Sequence, residues 1–353
     1  SIFSSSSYMG TIVLKNYTKA QSLESDDIFL YLGNNKTVTL GKLLESVTSF
    51  DSTGVYEGTD ASESVDASQI QRDTTINVYG GYNTVVGTDG YNDVITGGND
   101  GNNISAKNGN KTITTGSGAD KITVNGNGTH EINAGNGANT VSITGAGSAN
   151  VTTGSGDDTI NIKGEGTHTV NAGNGKNYIL IDGEGETSIT GGSGNDTISV
   201  LNNSQNTTIL AGAGNDIITT IKTSGNVSIT AGAGNDYINT GTGNSTLYFY
   251  AGDGDDVINN GGGTDTIVFA SGMTYTTERD DKGRVVVKYN NNQNSITLNS
   301  FDSDTYVKVG SGTATKINTG KQENSSIVIR AEESRSVILS SGEVKLISSI
   351  NPY

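Results

Sequence analysis

The chain has 353 residues, 50 of them Gly and one Pro, and sets 37 acidic against 21 basic side chains for a net charge of −16. That balance excludes nucleic acid and an anionic membrane surface as partners, and the absence of Cys excludes disulfides and thiolate-bound metals. No apolar run reaches the ~18–20 residues of a membrane span, and a hydrophobic share of 32% suits a thin stack better than a thick globular core.

In chain order, residues 1–10 lack the basic and apolar regions of a signal peptide. With no initiator Met, the chain reads as processed or partial, and any export signal is expected elsewhere or toward the C-terminus. Residues 11–14 and 28–32 are strand-like. Leu40, Leu43, Leu44 and Val47 recur at helical spacing and predict a short helix. Residues 1–63 are therefore expected to form a β-rich cap over an open strand edge.

From residue 64 degenerate copies of one pattern begin, at Val65-Asp66, Tyr82-Asn83, Asn92-Asp93 and Gly101-Asn102. From Gly116 the pattern Gly-x-Gly-x-(Asp/Asn)-x-(Ile/Val) becomes strict. Its fifth position holds Asp120, Asn139, Asp158, Asn177, Asp196, Asp216, Asp236 and Asp256, in four steps of 19 residues and then three of 20. Two residues after each comes an aliphatic, from Ile122 and Val141 to Ile258. A unit this short cannot bury its own apolar side, so successive copies must stack. A weaker Gly turn falls half a period on, as Gly126-x-Gly128-x-His130 and Gly164-x-Gly166-x-His168, again followed by an aliphatic such as Ile132 or Val170.

Each period is thus two Gly-rich loops and two short strands with one inward aliphatic apiece, stacked parallel at about 4.8 Å. The fold class is all-β: a parallel β-roll or β-helix solenoid with 19–20-residue turns over residues 64–270 and β-rich caps at both ends. Asp265 closes one more copy, only nine residues after Asp256. Residues 267–301 alternate polar and apolar like an antiparallel finishing stretch, and 271–353 form the C-terminal cap and tail.

The two loop rows differ. One presents Asp or Asn in every turn; the other presents His, Ala or Thr and no carboxylate. A hard cation such as calcium takes six to eight oxygens at about 2.3–2.6 Å, whereas magnesium's strict octahedron fits worse. A loop that exposes glycine carbonyls and ends in Asp offers several, and the next turn offers the rest. The candidate ligands are Asp120; Gly154, Gly156 and Asp158; Gly192, Gly194 and Asp196; Gly212, Gly214 and Asp216; Gly232, Gly234 and Asp236; and Gly252, Gly254 and Asp256. Several calcium ions are expected in single file along one flank, between adjacent turns. From 120 to 196 each inter-turn site has one carboxylate and one amide, while from 196 to 256 each has two carboxylates. The C-terminal sites should therefore bind more tightly, with the Asn turns held by amide ladders.

The stretch Gly191-Gly192-Ser193-Gly194-Asn195-Asp196-Thr197-Ile198 resembles the nonapeptide of the RTX (repeats-in-toxin) family. Copies ending at Asp216, Asp236 and Asp256 match with Ala for the first Gly. The resemblance covers residues 64–301 and implies a right-handed parallel β-roll that binds calcium, a bacterial extracellular location and type I secretion. It carries the family's ligand role to Asp120, Asp158, Asp196, Asp216, Asp236, Asp256 and Asp265. Two features depart from it: Asn at 139 and 177, and only one RTX-like row.

His130 and His168 lie two turns apart, too far to share a metal, and are expected as solvated loop residues. Tyr237, Tyr248, Phe249 and Tyr250 are expected to fill strands near the cap. No catalytic constellation stands out, and no Arg occurs between Arg72 and Arg279 to receive a uronate. The loop positions are too irregular for an ice-binding ladder. The sequence reads as a secreted, non-catalytic, calcium-binding structural module of a bacterial surface protein, an S-layer component or large adhesin. Its partners are copies of itself or other surface components; the alternative is the C-terminal secretion and folding domain of an RTX toxin or hydrolase.

Overall fold

A computed structural model of the chain describes residues 29–32, 36–39, 50–299 and 304–317. Among the described residues every regular element is a strand. The chain passes alternately between two 14-stranded sheets, so that each turn adds one strand to each. Stacking is parallel and in register: Ile122 lies on Val141, then Ile160, Ile179 and Ile198. In the facing sheet Ile132 lies on Val151, then Val170 and Ile189. This is a parallel β-solenoid, as the spacing predicts.

The interior is made of ladders in which each turn places like on like. β-branched side chains suit such pleated, tightly stacked positions, and burying each one contributes about 1.5–3 kcal/mol. Five successive strands of the first sheet bury two aliphatics each, not the one expected: Val124, Ile143, Ile162, Ile181 and Val200 join the ladder. A five-residue strand such as Lys121–Asn125 necessarily turns residues i and i+2 to the same face.

The parallel stack already includes Val55–Glu57, paired with Thr74–Asn77. Phe29–Leu32 pairs antiparallel with Lys36–Thr39. The helix expected at 40–47 and the strand at 11–14 fall outside the described residues. At the other end Ile258 pairs with Leu298, a step of 40 residues. The intervening chain forms the expected antiparallel finish: Tyr275–Arg279 pairs with Val285–Tyr289, which pairs with Asn294–Leu298. Asp304–Val309 continues the facing sheet. Phe249, Phe269 and Tyr289 pack as a buried aromatic plug, with ring centroids 4.8–6.3 Å apart. Of the aromatics expected to fill this end only Phe249 is fully buried; Tyr237 and Tyr250 stay exposed, because they face outward from their strands and loops.

The loops between strands are stacked so closely that glycine is obligatory at many positions. At Gly192, with φ of +113°, an added Cβ would lie 1.7 Å from the carbonyl oxygen of Gly173 one turn below. At Gly90, φ is also positive at +87°, but nothing lies within 4 Å. Gly90→Ala should therefore cost only the conformational term, about 1–2 kcal/mol. Gly192→Ala should cost more than about 3 kcal/mol, because the backbone beneath has nowhere to go. Chemical denaturation in saturating calcium checks the ranking.

Candidate metal centre

The parallel register puts Asn102, Asp120, Asn139, Asp158, Asn177, Asp196, Asp216, Asp236 and Asp256 above one another along one flank, all of them buried. The first oxygen of each Asp or Asn side chain from 120 onward accepts the backbone N–H of the row residue one turn earlier. Asn139 donates to Asp158 Oδ1 at 2.8 Å, Asp196 to Asp216 Oδ1 at 2.7 Å, Asp216 to Asp236 Oδ1 at 2.7 Å and Asp236 to Asp256 Oδ1 at 2.9 Å.

The second atom separates Asn from Asp. Asn139 Nδ2 donates to the carbonyls of Gly137 (2.9 Å) and Gly135 (3.2 Å), two and four residues back in its own loop. Asn102 Nδ2 does the same with Asp100 (2.7 Å) and Gly98 (3.2 Å). In the acidic turns the corresponding atom is an oxygen. Asp120, Asp158, Asp196, Asp216, Asp236 and Asp256 each hold a buried Oδ2 with no hydrogen-bond partner. An oxygen turned toward loop carbonyls cannot bond to them, and leaving it buried and charged is costly. A hard cation between them satisfies both. Among the described residues no three Asp, Glu or His side chains converge on one point, so a cation held here would need backbone carbonyls for most of its ligands.

The comparisons agree with this geometry. Residues 181–200, 202–220, 223–247 and 248–267 match the RTX calcium-binding nonapeptide repeat in four copies. This stretch carries RTX calcium-binding repeats. Among curated proteins no relative matches it. RTX nonapeptide repeats bind calcium, and the matched copies contain the run Asp196, Asp216, Asp236 and Asp256.

Within the RTX row the pKa of every Asp is raised, Asp216 included, and that of Asp256 at the C-terminal end most of all. Burial raises Asp120 and Asp158 above the ordinary carboxylate value. It raises Asp196 to about 6, Asp236 to about 7 and Asp256 to about 8, with neighbouring carboxylates adding to the shift. The row ends at Asp256, whose partner in the next turn is Ile296. Tyr289 closes over this end, its hydroxyl 3.5 Å from the Gly254 carbonyl.

The opposite flank corrects three expectations. Its register row includes Thr74, Asp93, Lys111, His130, Ala149 and His168, and reaches Ser245 and Asp265 further on. It therefore does contain carboxylates. Asp265 belongs here and not to the file ending at Asp256, because nine residues are half a turn. Its Oδ1 accepts the Ser245 N–H at 2.7 Å, while its Oδ2 and Ser245 Oγ are both buried without partners. His130 and His168 are not solvated: both are 2% exposed. Each ring sits inside its own glycine loop, with Nε2 3.4 Å from the carbonyl of Gly126 or Gly164. Burial holds both imidazoles below their ordinary value.

Sequence reasoning also missed Glu63, whose side chain carries a buried, unpartnered Oε2 and whose backbone N–H donates to Asn83 Oδ1 at 2.9 Å. The spacing from Glu63 through Asn83 and Asn102 to Asp120 carried the signal in steps of 20, 19 and 18 residues. The changing step obscured it.

A carboxylate raised above 3.8 in the fold stabilises that fold at low pH and loses the contribution as pH climbs through its raised value. For Asp196, Asp236 and Asp256 this happens between about 4 and 8 when calcium is withheld. Calcium must displace those protons, so its affinity should rise about tenfold or more from pH 6 to pH 8 with measurable proton release. Titration calorimetry in buffers of different ionisation enthalpy reads both; a pH-independent affinity contradicts carboxylate ligation.

Proposed function

We propose that the chain is the calcium-binding structural module of a secreted bacterial surface protein, an S-layer component or the stalk of a large adhesin. It folds on calcium after export and performs no catalysis. The observation that carries this reading is the file of six buried Asp side chains, each with one oxygen lacking a hydrogen-bond partner. The pairs 196/216, 216/236 and 236/256 form the tight sites, with carbonyls of Gly192, Gly194, Gly212, Gly214, Gly232, Gly234, Gly252 and Gly254 as further ligands. Asp120, and Asp158 with Gly154 and Gly156, bind more weakly beside their Asn neighbours. Asp265 serves a separate site on the other flank.

Calcium supplies positive charge where the row repeats a carboxylate against its own copy every turn. What the chain itself does is hold the oxygens. Oδ1 is fixed by a backbone N–H, so Oδ2 is aimed inward before any ion arrives. Because extracellular modules are tuned to calcium at about 10⁻⁴–10⁻³ M, such a file stays loose inside a cell and closes outside it. The antiparallel finish over residues 275–298 would then close the C-terminal end of the stack, and copies of the same chain or other surface components are its partners. Long repetition without a catalytic constellation favours a scaffold role over an enzymatic one.

Asp216→Asn removes a carboxylate from two of the tight pairs and should weaken the strongest calcium phase of the full chain by about tenfold or more. Asp120→Asn should change that phase little, since the new amide seats itself on loop carbonyls as Asn139 does. Titration calorimetry separates the two, and equal effects would refute the assignment of sites. Circular dichroism with a chelator tests folding on calcium, and electron microscopy of the loaded protein tests assembly.

A further inference from the structure

On the flank opposite the Asp file, the loop before Asp93 is already filled by a side chain. Lys111 stacks directly on Asp93 in the register, and both side chains are 0% exposed. The Lys111 ammonium donates to Asp93 Oδ2 (2.7 Å), to the Tyr91 carbonyl (2.7 Å) and to the Thr88 carbonyl (3.1 Å). Three N–H bonds thus meet three oxygens. The remaining capacity of Asp93 is also used: Thr74 Oγ1 and Thr88 Oγ1 donate to Oδ1 at 2.7 Å, and the Thr88 N–H donates to Oδ2 at 2.9 Å. Asp93 leaves no oxygen without a partner, unlike the six Asp of the file.

The seat is the same one used on the other flank. Tyr91 stands two residues before Asp93, as Gly137 stands two before Asn139 and Asp100 two before Asn102, and each carbonyl accepts the buried donor. An amide fills that seat at Asn83, Asn102 and Asn139, and an ammonium fills it at Asp93. We propose that Lys111 is a tethered cation occupying a calcium-type oxygen cage, so that the turns from about residue 74 to 115 hold their fold without metal. They then form a standing platform on which the calcium-dependent turns stack. This rests on the reading of the Asp file as calcium-filled.

The test is hydrogen exchange of the full chain, read by mass spectrometry, in calcium and in excess chelator. In chelator, amides of Asp93–Thr96 and Lys111–Thr114 should stay protected while those of Thr207–Ala213 and Val227–Ala233 exchange. If the N-terminal amides open as fully as the C-terminal ones, the tethered-cation proposal fails. If the C-terminal amides stay protected instead, the calcium reading of the file fails.

Lys111→Met should speed exchange at Asp93–Thr96 by about a hundredfold or more, because Asp93 is left buried without a counter-charge. The double change Asp93→Asn with Lys111→Met should recover most of that protection, since the new amide can take the Tyr91 carbonyl as Asn139 takes Gly137. A single variant that leaves exchange unchanged, or a double variant as damaged as the single, overturns the role of charge.

Discussion

In a solenoid every flank residue meets its own copy one turn above and below, so any group placed there is multiplied against itself. The consequence is harshest for a buried oxygen. Asp196, Asp216, Asp236 and Asp256 each use one carboxylate oxygen to bind the backbone of the preceding turn and bury the other without a partner. Register makes this unavoidable: the side chain that completes the stacking of one turn creates the same demand in the next. A cation between turns would remove the demand and the repulsion together, and on the proposed reading it couples metal binding to folding.

The chain resolves the same demand chemically in three ways. Asp leaves the second oxygen without a partner, the place the proposed calcium would fill. Asn replaces the second oxygen with an N–H donor that takes the loop carbonyls, as at Asn102 and Asn139. Lys111 brings its own positive charge to Asp93 from the next turn. These solutions are not evenly distributed. Amides and the ammonium dominate the N-terminal turns, whereas consecutive carboxylates occupy the C-terminal run, where burial and neighbouring charge raise Asp236 and Asp256 to about 7 and about 8. A single backbone geometry therefore carries its unpartnered carboxylate oxygens unevenly along its axis, consecutively only from Asp196 to Asp256.

Glycine connects the two requirements. The same close approach that puts an imagined Cβ of Gly192 or Gly212 within about 2 Å of a carbonyl one turn below also brings those carbonyls to the flank where the Asp oxygens lie. The loops cannot be filled out with side chains without separating the turns, and separated turns would lose both the apolar ladders and the shared oxygen cages. At the C-terminal end, where Ile296 and not another Asp or Asn stacks on Asp256, Tyr289 and the aromatic plug take over the closing of the core.

Much of this was legible in the residue order. A fixed period of 19 or 20 with Gly, Asp or Asn and an aliphatic at set offsets determines a parallel stack, its inward ladders and one acidic row, because strand period and turn chemistry are local properties. The irregular early steps concealed Glu63, while the half-period step from Asp256 to Asp265 was plain in the sequence and pointed to the opposite flank. Only the tertiary structure decided that His130 and His168 are buried, that Lys111 reaches back to Asp93, and that a second aliphatic in the strands from Lys121 to Leu201 of the first sheet turns inward. Those outcomes depend on what lies one full turn away, and spacing alone does not specify which side-chain atoms meet across that gap.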